Sequence, residues 1–300
     1  MKNISRNEFL KDLSLLAGLA AIPGFSQASD TYLKASRMKL GMVTYLWGKD
    51  MDVPTLIKSC SASGIGGVEL RVDHAHGVMP GLSAAERKEV KKKFADSPVK
   101  IVGMGTNQQY DSPDQVKLRD SIEKTKEFVR LSADIGGSGV KVKPNQFHKG
   151  VPHEQTIEQI GKALNELAKY AADYGQQIRL EVHGNETQDL PNIKAMMDVA
   201  THPNATVCWN CNPEDLKDGG LVHNFNLVKD RFGDIVHVRE LNDTSYPYQQ
   251  LMDLFVGMNY DGWILLECRT DPADKVQAMK EQKKIFNDMV ASAQKKTGKS

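Results

Sequence analysis

Cysteine is scarce in this chain, with four in 300 residues. That excludes a disulfide-built scaffold. An excess of one charge is also missing. Lysine plus arginine number 39 and aspartate plus glutamate 38, a formal net charge of +1. No global field therefore recruits nucleic acid or a membrane surface. No long apolar run follows the N-terminal region, so no membrane span is expected. The glycine-rich G-x-G-x-x-G of dinucleotide-binding sheets is absent too. The first expected strand ends TYLWGKD, which argues against a doubly wound open sheet.

What is present begins with a separable N-terminus. MKNISRNEFLK is polar and slightly basic, and LSLLAGLAAIPGF is apolar but too short to cross a bilayer. Ser26 and Ala28 supply small residues at the −3 and −1 positions of a cleavage site before Ser29. Residues 1–28 read as a secretory signal peptide. Ser5-Arg6-Asn7-Glu8-Phe9-Leu10-Lys11 resembles a twin-arginine signal, with Asn7 where the second arginine would stand. The expected mature protein is soluble, exported and periplasmic.

From about residue 38 the chain alternates strand and helix. Strands are expected at 38–47, 66–71, 99–106, 139–144, 177–184, 205–210, 234–241 and 262–269. Helices are expected at 52–64, 83–97, 112–135, 153–174, 190–200, roughly 215–231, 245–258 and 272–294. Strict alternation calls for a parallel sheet. Eight such units suit one closed (β/α)8 barrel, a TIM barrel spanning 38–296 as a single domain.

Strands of a parallel sheet are buried on both faces and should be nearly all apolar. Six of these carry polar residues of one parity: Glu69 and Arg71; Lys141 and Lys143; Arg179, Glu181 and His183; Cys208 and Asn210; His237 and Arg239; Glu267 and Arg269. Residues two apart on a strand share a face. The polar set should point into the barrel and gather at the C-terminal strand ends, where barrel enzymes place their chemistry. Buried ions must neutralise one another, hold a metal or line a wet cleft.

The same parity disposes of the C-x-x-C at Cys208 and Cys211. On an extended segment their Cα atoms lie about 10 Å apart, and a disulfide needs less than about 7 Å. No second C-x-x-C completes a zinc site. Asn210, inward at the strand's end, is the more informative residue. His74 and His76 follow the second strand in DHAHGV. His76 is a candidate for substrate or metal contact, and Lys143, Asn145, Arg239 and Arg269 are candidate partners for hydroxyls or an oxyanion. Trp47 and Trp209 offer large aromatic faces for a ligand ring, although the parity of Trp209 favours the core.

The segments LEVHGN (180–185), VCWNCNP (207–213), HVREL (237–241) and YDGWILLECR (260–269) resemble the xylose-isomerase-like TIM-barrel superfamily of sugar epimerases and isomerases. The resemblance covers nearly the whole mature chain. It implies one divalent metal ion (Mn, Co, Zn or Mg), held by Glu181, Asn210, His237 and Glu267, with the two glutamates as the acid/base pair. It departs at Asn210, where the superfamily has an aspartate, and His183 is a candidate replacement or substrate contact. The partner implied is a small-molecule sugar or glycoside, and the oligomeric state is left open. The chain is also similar to exported members acting on 3-keto-glycosides, so the expected activity is metal-dependent 1,2-elimination. Keto-sugar isomerisation or epimerisation, by the same enolate chemistry, is the alternative. A non-catalytic sugar-binding barrel is the alternative of another class. An endonuclease of the apurinic type would require a basic groove and more metal ligands.

Overall fold

The computed structural model describes residues 37–298. The expected signal peptide at 1–28 lies outside the described residues. Eight strands alternate with eight helices: β1 Lys39–Val43, α1 Val53–Ser63, β2 Gly67–Arg71, α2 Ala84–Ala95, β3 Lys100–Gln109, α3 Gln115–Ile135, β4 Gly139–Lys143, α4 His153–Ala172, β5 Gln177–Glu181, α5 Leu190–Val199, β6 Ala205–Cys208, α6 Gly220–Val228, β7 Ile235–Val238, α7 Tyr248–Gly257, β8 Trp263–Leu266 and α8 Lys275–Thr297. The order around the sheet is β6-β5-β4-β3-β2-β1-β8-β7, and every paired ladder is parallel. The seam between β6 and β7 is drawn together by Gly233 N donating to Val207 O (3.1 Å) and His237 N donating to Trp209 O (2.8 Å). The fold is the expected (β/α)8 barrel.

Local sequence explains the helix ends. Asp52 accepts from Thr55 N at 2.9 Å and starts α1, while Gly64 stops it in the left-handed region at φ 76. Ser83 and Glu86 form a reciprocal capping box at α2. The helix expected over 215–231 is broken instead. A 3-10 turn at Pro213–Leu216 comes first, and α6 starts only at Gly220. Asp218 and Gly219, just before it, have positive φ, which the interior of a right-handed helix does not hold.

Two apolar clusters follow from strand parity. The larger packs the outward strand residues Val68, Leu70, Val140, Val142, Leu180, Val207 and Val236 against the helices. The smaller, Val43, Val102, Cys208, Ile235 and Leu265, fills part of the barrel interior. Glycines make room for larger inward chains. A Cβ on Gly139 would stand 2.7 Å from the Arg179 guanidinium, and one on Gly105 would stand 2.5 Å from Glu69 Oε1. Arg179, fully buried, donates to Val102 O (3.1 Å), Ser138 Oγ (2.6 Å) and Gln177 Oε1 (3.0 Å), and pairs with Asp234 at 3.4 Å. It closes the lower interior, so the charged site above stands on a filled floor.

Candidate functional site

The upper interior collects charges from five strands. Glu181 ends β5, His237 lies on β7, and Glu267 directly follows β8. One ligand atom from each lies within 4.8 Å of the others, and all three residues are buried. His237 Nδ1 is 3.7 Å from Glu181 Oε1 and 4.0 Å from Glu267 Oε2. Its other ring nitrogen, Nε2, is 3.3 Å from Glu69 Oε1 on β2. Lys141 on β4 donates to Glu181 Oε2 at 2.6 Å, with the two side chains 1% and 2% exposed. Asn210, two residues beyond β6, is buried as well.

Two of these groups are unusually bare. Both carboxylate oxygens of Glu69 and both ring nitrogens of His237 are buried without a hydrogen bond of good geometry. Orphaned buried polar atoms are costly and call for a partner. Three convergent carboxylate and imidazole donors suit a borderline divalent cation. The residues present therefore fit one such ion. Glu69 stands behind His237 and brings a third carboxylate to the centre. A carboxylate on the far nitrogen of a metal-binding histidine fixes its tautomer and orientation.

Environment separates the two glutamates. Burial pushes the Glu181 carboxyl up, but Lys141 and His237 together pull it well below the usual carboxylate range. Burial raises Glu267, opposed by His237 and reinforced by Glu181. Burial works against the imidazolium of His237, yet Cys208 and Glu69 beside it raise its pKa well above the usual histidine range. His183, half-buried above Glu181, is lowered by burial, and its Nδ1 has no hydrogen-bond partner.

The other expected site residues fall into two groups. Lys143 stands at the mouth, where its Nζ donates to Asn107 Oδ1 at 3.2 Å. Arg239 is half-buried with an unpartnered Nε, and Arg269 is exposed. His76 is different. Its Nε2 donates to Arg71 O at 2.8 Å and its Nδ1 accepts from Val78 N at 3.0 Å. Both nitrogens are engaged, so His76 shapes the loop after β2 and offers no free nitrogen to a ligand. Asn145 Nδ2 donates to Asp111 Oδ2 (3.0 Å), which His148 Nε2 also meets (2.8 Å). Trp47 and Trp209 are both buried, with their indole N–H groups donating to Thr270 O and Tyr246 Oη, so neither presents a stacking face. Cys208 and Cys211 are buried free thiols raised by burial, and Cys211 donates to His237 O.

Sequence reasoning placed Glu69 and Lys141 inside the barrel but gave them no part in the site. Asn107 it missed altogether, because β3 runs to Gln109 and carries Asn107 to the rim, beyond the expected end at 106.

The class is thus a (β/α)8 barrel with a buried carboxylate–imidazole centre at the strand ends. The chain belongs to the xylose isomerase-like TIM barrel family, whose model matches residues 57–289. Solved structures share the fold at low identity. The 3-keto-D-glucoside 4-epimerase from E. coli is 13% identical, with a TM-score of 0.71 over 84% of this chain and 99% of that one. The D-allulose 3-epimerase from Methylomonas sp., in complex with D-allulose, is 18% identical, with a TM-score of 0.71 over 85% and 99%. The IOLI protein with a bound zinc atom is 14% identical, with a TM-score of 0.72 over 85% and 99%. No curated protein matches by sequence.

Proposed function

We propose that this protein is a carbohydrate enzyme that removes a proton from the carbon beside a sugar carbonyl, with one divalent ion as cofactor. The observation that carries the reading is the buried convergence of Glu181, His237 and Glu267 within 4.8 Å at the strand ends. Those three residues and Asn210 would hold the ion. When bound, it supplies Lewis-acid stabilisation of the negative charge that develops on the carbonyl oxygen.

The chain's own residues do the rest. Lys141 pins Glu181 Oε2 at 2.6 Å, so Glu181 acts as a fixed, ionised wall of the site. The Glu267 carboxylate is hydrogen-bonded to no described residue, whereas that of Glu181 is held by Lys141. Glu267 is therefore the group that takes the proton and returns it. Glu69 Oε1 stands 3.3 Å from His237 Nε2, and Nδ1 is on the side of the two glutamates. Arg71, Lys143 and His183 line the entrance.

We favour 1,2-elimination on a 3-keto-glycoside. The C3 carbonyl acidifies the C2 hydrogen. Loss of that proton to Glu267 forms the C2–C3 enolate. Its collapse restores the C3 carbonyl, forms the C1–C2 double bond and breaks the bond from C1 to its oxygen substituent, which leaves as the alcohol with the proton returned by Glu267. The export signal read at residues 1–28 supports this choice, since glycosides are met outside the cytoplasm. The second reading is keto-sugar epimerisation or isomerisation, supported by the epimerases that share the fold. There the proton returns to the opposite face or to the neighbouring carbon. Incubation with a chromogenic 3-keto-glucoside separates the two. Elimination predicts aglycone release. Epimerisation of a free ketose without any aglycone release would rule it out.

A further inference from the structure

The mouth of the barrel holds cations that the proposed chemistry leaves unmatched. Arg71 Nη2 and Lys143 Nζ donate to the same neutral acceptor, Asn107 Oδ1, at 3.1 and 3.2 Å. The two nitrogens can be no farther apart than those two bonds together. Neither side chain has a carboxylate partner among the described residues. The Arg71 guanidinium lies over the Tyr45 ring, 5.1 Å from its centroid, which fixes its plane. The charges of Lys143 and Arg71 also reach His183, whose Nδ1 is buried without a hydrogen-bond partner.

Like charges this close repel one another, and partial burial strengthens the repulsion. Burial and the neighbouring cations Lys141 and Arg71 push Lys143 down, although Glu181 and Glu267 below pull the other way. Those carboxylates are already accounted for. Glu69, Glu181 and Glu267 carry three negative charges, which Lys141 and one divalent ion balance. Once that ion is in place, nothing in the described interior offsets Arg71 and Lys143.

We propose that Arg71 and Lys143 form a subsite for an anionic group on the substrate, a carboxylate or a phosphate ester remote from the reacting carbons. Asn107 holds the two cations in register, and His183 Nδ1 offers a further contact at the edge. The inference rests on the proposed function only for where the sugar ring sits.

The test is isothermal titration of the full chain, loaded with Mn²⁺, with three probes: D-glucuronate, D-glucose 6-phosphate and D-glucose. At low ionic strength at least one anionic probe should bind about tenfold more tightly than glucose. Raising NaCl from about 0.01 to about 0.5 M should weaken that probe and leave glucose unchanged. A preference for glucuronate identifies a carboxylate ligand, and a preference for the phosphate ester identifies a phosphate. Lys143→Met should bring the anionic probe to within about twofold of glucose. Arg71→Gln makes the same comparison if the first variant fails to fold. Equal binding of all three probes, or no anionic binding at about 10 mM, a level that would still detect millimolar affinity, overturns the proposal. So does a variant that weakens glucose as much as the anion. Because binding is read without turnover, a protein that binds glucuronate yet exchanges no C2 hydrogen of a 3-keto-glucoside would refute the proposed function and keep the subsite.

Discussion

Replacing Lys141 by methionine probes the charge balance on which the site rests. Lys141 and Glu181 form a 2.6 Å pair with almost no solvent exposure. Methionine keeps the length and removes the charge. Glu181 is then left buried beside Glu69 and Glu267 without its hydrogen-bonded cation, and only His237, 3.7 Å from Oε1, remains to offset it. Breaking a buried pair in this way costs about 3–5 kcal/mol. For a domain of this size that is a fall in Tm of roughly 5–9 °C. A divalent cation should restore much of the loss, because it meets the same carboxylates. At a hundredfold excess over Kd, binding alone contributes about 2.7 kcal/mol. The gain should be larger in the variant than in the wild type, since the repelling ammonium is gone. The assay is thermal denaturation of both proteins in EDTA and in Mn²⁺. A variant within about 1 kcal/mol of wild type in EDTA, below the loss expected for a broken buried pair, would refute this reasoning. Equal stabilisation of both proteins by Mn²⁺ would refute it as well.

Three further outcomes follow from neighbouring contacts. Glu69→Gln removes the charge behind His237 and should weaken Mn²⁺ binding about 10- to 100-fold by titration calorimetry. Gly105→Ala places a Cβ 2.5 Å from Glu69 Oε1 and should weaken Mn²⁺ in the same assay, with a loss of about 1–3 kcal/mol in urea unfolding. Asp215 is buried and accepts from Tyr246 Oη (2.7 Å) and Asn212 N (2.9 Å), and burial pushes it from 3.8 up to about 7. Its folded-state pKa lies above the unfolded value, so its contribution to stability is complete below about pH 4 and is lost as pH rises through about 7. The difference is on the order of 4 kcal/mol. Asp215→Asn should flatten the urea-unfolding profile between pH 4 and pH 8, and an unchanged profile would contradict the assignment.

The parts of the fold that were legible in the sequence are those set by short-range geometry. Strand parity alone sent Glu69, Lys141, Glu181, His237 and Glu267 inward, because alternate residues on a strand cannot share a face with their neighbours. Asp52 and Gly64 mark the two ends of α1 through local chemistry that the sequence shows. The rest depends on who stands across the barrel. That His237 meets Glu69, and Glu181 meets Lys141, follows from strand order and tilt, which parity does not encode. The space left by Gly105 has meaning only once Glu69 on the adjacent strand fills it. His76 looked free because its acceptor, Arg71 O, and its donor, Val78 N, are backbone groups brought round by the loop. The break at Gly219-Gly220 was visible in the sequence, but the expected helix was carried through it.

Hydrogen exchange at the proposed reacting carbon tests the central claim most directly. A 3-keto-glucoside would be incubated in D₂O with the Mn²⁺-loaded protein and followed by proton NMR, with Glu267→Gln beside the wild type. The account predicts that wild type replaces the C2 hydrogen with deuterium, or releases the C1 substituent with its loss. It also predicts that Glu267→Gln is slower by at least about 100-fold. A C2 signal that persists in the presence of bound ion and bound sugar would contradict it.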